Sequence, residues 1–520
     1  MKIKTFITLV LSVLITVSGI TIAEAAQTVQ VTLPDFDVTL NGQKIDNNTR
    51  QYPLIVYKDI TYFPMTYYDS RFLGLYTQWD AKKGLGVYTY DGVSAYHIDA
   101  TGTKNKKRDF AQVAQGPIEV NSVYIDNKAE KYPLLLFRDV TYFPLTWRFA
   151  VNEFGWTYRF DNACGLTIER ENVKTESVLL SDGRTSKEIN TGFDFAIDSQ
   201  YLYYQGKNGE IYQRPLSAIS DSAKRKTVAQ IPYEDDYFKG YPFTALYEEN
   251  GDVYYQYHSG GATMGGNYLY KISGNQNAQL ILKRTNDAYT GFDGFGIRTF
   301  GPAVGSTGTG MMYVDENGTM KLLGPEQYKY KVQADSYDAA RMRIYVTTQN
   351  YNDSALCELD LKTGELNKLS DSAHENYDVT DDAIYYQALQ KLFVLDLNTK
   401  EERVVATSSD FIYQYTATDK GVFFASPEHQ NALSFWNKDT GTTTLINSEF
   451  AVTKLYSQNG YVVVNFEEKP DNQHRLLVFD ENGNQVFSSM DVADKALINN
   501  NGVMIYRLDG TSQLVKVTLE

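Results

Sequence analysis

A segment of this chain occurs twice. Ile45-Asp46-Asn47 returns 80 positions later as Ile125-Asp126-Asn127, Tyr52-Pro53-Leu54 as Tyr132-Pro133-Leu134, and Asp59-Ile60-Thr61-Tyr62-Phe63-Pro64 as Asp139-Val140-Thr141-Tyr142-Phe143-Pro144. The copied positions are apolar, aromatic, Pro or turn-forming, and no nucleophile, acid pair or metal cluster is copied with them. The duplication therefore signals structural modules rather than an active site.

In the first copy, Val38-Thr39-Leu40, Leu54-Ile55-Val56-Tyr57, Ile60-Thr61-Tyr62-Phe63 and Leu85-Gly86-Val87-Tyr88 are β-branched or aromatic runs bounded by turn residues, which predicts strands. Met65, Tyr68, Phe72 and Leu73 are spaced for one short helix with one buried face. The second copy repeats the order through Leu145, Phe149 and Phe154, with one inserted residue that moves Trp79-Asp80 to Phe160-Asp161. Pro64 and Pro144 end a strand where a missing N–H does no harm. This strand pair, the Tyr-Phe-Pro step, the short helix and the closing Trp/Phe-Asp resemble the copper amine oxidase N-terminal-like, or stalk, domain found on exported proteins of Gram-positive bacteria. Both copies depart from that family's Gly-Arg-Thr-Tyr-Val-Pro wording, with Lys58-Asp59-Ile60-Thr61 and Arg138-Asp139-Val140-Thr141. The resemblance implies no copper, because the family's oxidase chemistry belongs to a domain this chain lacks.

Beyond about residue 194 a different period takes over, in which a turn precedes an aromatic strand and a second turn leads to a Leu/Tyr/Val-rich strand. Eight such units run from Tyr201-Leu202-Tyr203-Tyr204 to Val503-Met504-Ile505-Tyr506, and from Tyr345 onward they recur about every 38–42 residues. That spacing suits four-stranded propeller blades. The third unit shows no clear fourth strand and the last has only three; Ser177-Val178-Leu179-Leu180 is placed to complete it, which would remove an open sheet edge. The tyrosine-rich repeats resemble a propeller repeat family of unknown function, related to the propellers of low-density-lipoprotein-receptor-related proteins and TolB. The expected fold is mainly β: two small α+β stalk-like repeats over residues 28–92 and 116–172, then a β-propeller of seven or eight blades over residues 176–520.

Residues 1–25 read as a signal peptide: Lys2 and Lys4, an apolar run to Ile22, and a small-x-small site at Ala23-Glu24-Ala25. An uncleaved anchor is the alternative; no later run has comparable length, so no membrane span is expected after cleavage. A net charge of −15 disfavours nucleic acid. Two cysteines, Cys164 and Cys357, fall in different domains and make no disulfide scaffold.

Motifs of chemistry are sparse. The five histidines are scattered without metal-ligand spacing, so no metal or cofactor is expected. Asp315-Glu316-Asn317-Gly318 and Asp480-Glu481-Asn482-Gly483 resemble the start of a calcium loop but lack its closing Glu, and read as hairpin turns. Glycine-rich stretches at 259–266 and 301–310 lack a phosphate loop's Gly-Lys-Ser/Thr ending. With 41 tyrosines, most must pack between sheets; Tyr233, Tyr237, Tyr241, Tyr289 and Phe292 lie beside Gly and Asp in expected loops, positioned to stack on sugar rings or a peptide. The reading is an exported, wall-associated, non-enzymatic binding or scaffold protein whose partner is a cell-wall glycan or a surface protein. Its rival is an extracellular polysaccharide hydrolase or lyase with carboxylates gathered at the propeller channel.

Overall fold

The computed structural model describes residues 27–519 apart from 91, 93, 98–102, 171–174, 181–193, 207–208, 232–243, 261–264, 274–276, 301–308, 351–352, 372–375, 411, 413, 428–430, 448 and 470–472. The expected signal peptide lies outside the described residues.

The duplicated segments do not make two free-standing modules; they interlock. Strands Thr28–Thr32, Ile55–Tyr57 and Ile60–Pro64 of the first copy close a six-stranded barrel with Arg108–Val113, Leu135–Phe137 and Val140–Pro144 of the second. At both seams between copies the strands are antiparallel, and the facing residues are the two versions of one position: Gln30 faces Phe110 and Phe63 faces Phe143. An internal two-fold axis therefore runs through the barrel. The remaining strands are exchanged. Leu75–Asp80 and Gly84–Thr89 pair with the second copy's Ile118–Val120 and Val123–Tyr124, while Trp156–Asp161 and Gly165–Arg170 pair with the first copy's Val38–Leu40 and Gln43–Ile45. One hydrophobic core draws Leu40, Phe63, Phe72 and Val87 together with Val120, Phe143, Phe149 and Trp156. Each copy leaves half of each sheet to the other, so the two expected repeats form a single domain.

The helix after each Tyr-Phe-Pro step is short. Tyr67–Phe72 is α-helical, with the Thr66 hydroxyl capping Asp69 N at 2.9 Å. The extra residue of the second copy is absorbed in the π-helical turn Trp147–Glu153.

The rest of the described chain forms eight antiparallel sheets. Blade 1 runs Phe195–Ile197, Tyr201–Gln205, Glu210–Pro215 and Lys226–Gln230, and each later blade repeats that inner-to-outer order, blade 4 with its innermost strand in two pieces, Lys329–Lys331 and Tyr337–Asp338. Blade 8 takes Ala493–Ile498, Val503–Leu508 and Gln513–Thr518 from late in the chain and its outermost strand, Thr175–Leu179, from before blade 1, pairing Val178 with Leu514. Apolar clusters bridge neighbouring blades, as where Leu202 and Tyr204 meet Ile505 and Leu514.

Blade 3 differs from its sequence expectation: it has all four strands, and its first two are Ala288–Phe292 and Phe295–Phe300. Gly291 and Gly296 suggest a loop, but they are strand residues against which tyrosine tips lie. A methyl group on Gly291 would sit 2.0 Å from the Tyr254 hydroxyl oxygen, and one on Gly296 2.1 Å from that of Tyr289.

The ring and the N-terminal domain are joined by the segment around residues 94–97. Ala95 packs among Val463, Leu476 and Ile498, and its N–H donates to Asp491 Oδ2 at 2.8 Å. The Tyr506 hydroxyl donates to the same oxygen at 2.6 Å, and Gln513 Nε2 donates to the Tyr96 carbonyl. Burial raises the Asp491 carboxyl above the usual range, opposed by these hydrogen bonds.

Candidate functional site

In a propeller the first strand of every blade faces the central axis, so side chains remote in sequence meet there. Here those strands are stitched together by side chains. Leu246 N of blade 2 donates to Asp194 Oδ2 at 2.8 Å, Gly291 N of blade 3 to Glu249 Oε2 at 2.9 Å, and Val379 N of blade 5 to Asp335 Oδ2 at 3.3 Å. Ala417 N of blade 6 donates to Asp378 Oδ2 at 2.7 Å, Ser457 N of blade 7 to Thr416 Oγ1 at 2.9 Å, and Ile498 N of blade 8 to Gln458 Oε1 at 2.9 Å. Lys495 closes the circle, reaching from blade 8 to Asp194 Oδ1 at 2.6 Å and to the carbonyls of Phe195 and Leu246 at 2.7 and 3.0 Å. At the junction of blades 3 and 4 the contact is the longer bond from Thr290 Oγ1 to the Val332 carbonyl, 3.5 Å. Each latch satisfies an inner-strand N–H or C=O that the sheet's own ladder leaves over.

The wall's electrostatics are uneven. Burial raises the Asp378 carboxyl to about 7, with the negative charge of Asp335 adding to the rise and the Ala417 N–H opposing it. Asp335 is also raised by burial, against the Val379 N–H. Asp335 is exposed at its surface and Asp378 half-buried, and the chain packed around their carboxyls disfavours the charged form of each. Beside them the Tyr415 hydroxyl donates to the Asn376 carbonyl at 2.6 Å and is held far above the ordinary phenol range by burial and by Asp378. At the junction of blades 2 and 3, burial lifts Glu249 to about 7 against the Gly291 N–H, with Glu248 adding to the rise. Lys495 is lowered by burial despite its Asp194 partner. The wall thus holds acids that keep protons near neutrality, with the Lys495 ammonium bonded to the Leu246 carbonyl of the strand that carries Glu249.

None of these residues was singled out by sequence reasoning. Each comes from a different blade, and the only local trace is an acidic residue in or next to an inner strand, as in Asp194-Phe195-Ala196 and Tyr377-Asp378-Val379. The aromatics that were singled out land elsewhere. Tyr233, Tyr237 and Tyr241 lie outside the described residues. Tyr289 is half-buried in the inner strand of blade 3, its ring 6.2 Å from that of Tyr254. Phe292, in the same strand, is buried and stacks on Phe295 at 5.0 Å. Neither occupies the exposed loop expected of it, because the glycines around them belong to a strand.

Both Asp-Glu-Asn-Gly segments are hairpin turns: Asp315 Oδ1 accepts from Asn317 N and Thr319 N, and Asp480 Oδ1 from Asn482 N and Asn484 N. Of the histidines, His97 stacks on Tyr68, His258 bonds Asn267 at 2.9 Å and His474 bonds Ser488 at 2.6 Å, while His374 and His429 lie outside the described residues. Among the described residues no three His, Cys, Asp or Glu are grouped to hold a metal ion. Cys164 is exposed and Cys357 buried, both as free thiols. No helix among the described residues is long and apolar enough to cross a membrane.

Eight radial antiparallel sheets, seven of four strands and one of five, stitched at their inner strands and zipped by a strand from the other end of the repeat region, define a β-propeller. Among solved structures the chain is similar to BamB from Moraxella catarrhalis, at 12% identity over 66% of this chain and 96% of that one, TM-score 0.38. It is also similar to TolB from Acinetobacter baumannii, at 11% identity over 57% and 84%, TM-score 0.29. Sqt1 from Saccharomyces cerevisiae aligns at 10% identity over 64% and 96%, TM-score 0.39. No family model matches the chain, and no curated protein matches it.

Proposed function

We propose that the protein is an exported, non-enzymatic binding or scaffold module of the cell surface, in which a stalk-like domain holds a rigid propeller ring. The observation that carries this reading is the use made of the inner wall. Asp194, Glu249, Asp335, Asp378, Thr416 and Gln458 all spend a side-chain oxygen on a neighbouring blade's N–H, so the groups most suited to acid–base work are occupied in holding blades together. A platform of this kind presents its connecting loops on a fixed frame. The leader over residues 1–25 and the stalk-like wording of the duplicated segments support an extracellular, wall-associated site in a Gram-positive bacterium, with a wall glycan or a surface protein as partner.

A second reading, hydrolysis or elimination on an extracellular polysaccharide, is favoured by one observation: Asp378 lies in the field of Asp335 across a blade junction, and burial raises both. One experiment separates the two. The full chain is incubated with purified cell-wall sacculi and with soluble polysaccharides, and both retention and new reducing ends or unsaturated products are measured. The proposal expects retention without turnover. Product formation that Asp378→Asn abolishes overturns it in favour of the enzyme.

A further inference from the structure

In the segment Lys104-Asn105-Lys106-Lys107-Arg108 every residue but Asn105 is basic, and all the bases are exposed. The backbone beneath them is held in place. Asn105 Nδ2 donates to the carbonyls of Asn47 and Arg50 at 2.9 and 2.8 Å, its Oδ1 accepts from Arg138 Nη2 at 3.0 Å, and its N–H donates to the Asn48 carbonyl at 2.6 Å. The Lys107 carbonyl accepts from Leu33 N at 3.1 Å, and Arg108 then opens the barrel strand that pairs with Thr28–Thr32. Nearby carboxylates are engaged elsewhere. Asp109 Oδ1 accepts from Phe110 N at 2.9 Å and its Oδ2 lies 4.0 Å from Arg138, while Asp46 accepts from Asn48 N and the Thr49 hydroxyl. Among the described residues no carboxylate forms an ion pair with Lys104, Lys106, Lys107 or Arg108. Phe110, two positions beyond Arg108 on the same side of the strand, is 64% exposed.

The internal symmetry shows what the fold itself demands. Gln27, Thr28 and Gln30 occupy the twin positions of Lys107, Arg108 and Phe110 on the same pair of strands, so neither bases nor an aromatic are needed to build this surface. Charge is also divided between the domains. Acidic and basic side chains balance over residues 27–170, and the acidic surplus behind the net charge of −15 falls in the propeller.

We propose that this basic strip docks the N-terminal domain on an anionic lipid bilayer, with the acidic ring turned away from it. Each exposed base near a negatively charged membrane surface strengthens binding, and a cluster of this size gives a reversible hold. Two observations favour a bilayer over a soluble polyanion. Phe110 offers an apolar side chain that the boundary of headgroups and acyl chains takes up and a chain of phosphates does not. The strand paired with Arg108–Val113 is also the first after the apolar run that ends at Ile22, so the strip belongs to the strand pair that follows the membrane-directed segment of the sequence. Repulsion of the ring by the same lipids sets the orientation.

The inference rests on the preceding reading only in placing the protein outside the cell membrane; its site lies outside the propeller. The chain from Ala26 onward, which lacks the apolar leader, is sedimented with vesicles of phosphatidylglycerol and phosphatidylcholine in equal parts and with vesicles of phosphatidylcholine alone, at low and at high salt. Binding is expected to the anionic vesicles only, and to be lost at high salt. Lys106→Glu together with Lys107→Glu should weaken it at least about tenfold, and Phe110→Ser about threefold. Lys82→Glu together with Lys83→Glu makes the same change of net charge on exposed bases in another sheet, and should leave binding within about twofold of wild type. All these side chains are exposed, so thermal melts of the variants should match wild type. Failure to bind the anionic vesicles, equal binding to neutral ones, or an equal loss in both double variants overturns the proposal. Capture of soluble polyphosphate in preference to vesicles overturns it too, in favour of a soluble polyanion. Turnover of polysaccharide would sink the preceding reading and leave vesicle binding standing.

Discussion

Gly84 and Gly165 are twins under the internal symmetry, with φ of +78° and +76°. A methyl group on either would lie 1.9 or 2.0 Å from a carbonyl oxygen of the partner copy, that of Pro117 or Asp37. Two costs coincide, the left-handed backbone and a collision with main chain that cannot move aside. Gly84→Ala or Gly165→Ala is expected to destabilise the protein by about 3 kcal/mol or more. Gly42→Ala, at φ +80° but with open space around it, should cost only about 1 kcal/mol, and denaturant titration of the three variants checks the contrast. A buried ion pair tells a similar story. Arg50 and Asp69 are both almost fully buried and paired, while Arg50's twin, Glu130, pairs with Arg148, the twin of Tyr68. Arg50→Ala strands a buried carboxylate and should cost about 3–5 kcal/mol in the same assay.

At the scale of elements, the sequence shows strand content, turns and repeat length well, because alternation and Asn-Gly or Asp-Gly turns are local. Ser177-Val178-Leu179 could be read as a closing strand for the same reason. Pairing partners are not local. The two copies have the same apolar pattern, so a hairpin satisfied by its own copy and one satisfied by the other look alike, and the exchange of strands in the N-terminal domain left no mark. Blade 3 was misjudged because Gly291 and Gly296 resemble loop residues until the overlying tyrosines are seen. The inner-wall acids were invisible because their meeting depends on ring closure rather than on spacing. The closing strand is itself testable. Val178 is buried with Leu514 and Ile505, so Val178→Asp should cost about 3 kcal/mol or more, and the exposed edge should raise light scattering on mild heating.

Across the whole molecule, the ring's acids make stability depend on pH. Asp378 and Glu249 titrate near 7 when folded, against about 4 in an unfolded chain. Below about 4 both states are protonated and the contribution is full. As pH rises toward 7 the unfolded chain releases its protons first, so stability falls, and above the folded pKa the loss is complete. Asp378→Asn keeps an oxygen for the Ala417 N–H but has nothing to titrate. The variant should therefore gain on wild type between pH 5 and pH 8 in thermal melts. Coupling between domains has its own test. Removing Asp491 and Gln513 together by Ala substitution deletes the hydrogen bonds to Ala95 and Tyr96, and calorimetry should then resolve two transitions where wild type shows more overlap.

The outer strand of blade 8 also fixes an order of events. A ribosome delivers Thr175–Leu179 first and its partner Gln513–Thr518 last, with seven blades emerging in between. During that interval the nascent ring has a seam, and both lips of the seam are unpaired strands open to proteases and to neighbouring chains. The seam cannot be zipped before Gln513–Thr518 exists, so a stalled synthesis short of it leaves Thr175–Leu179 without its partner.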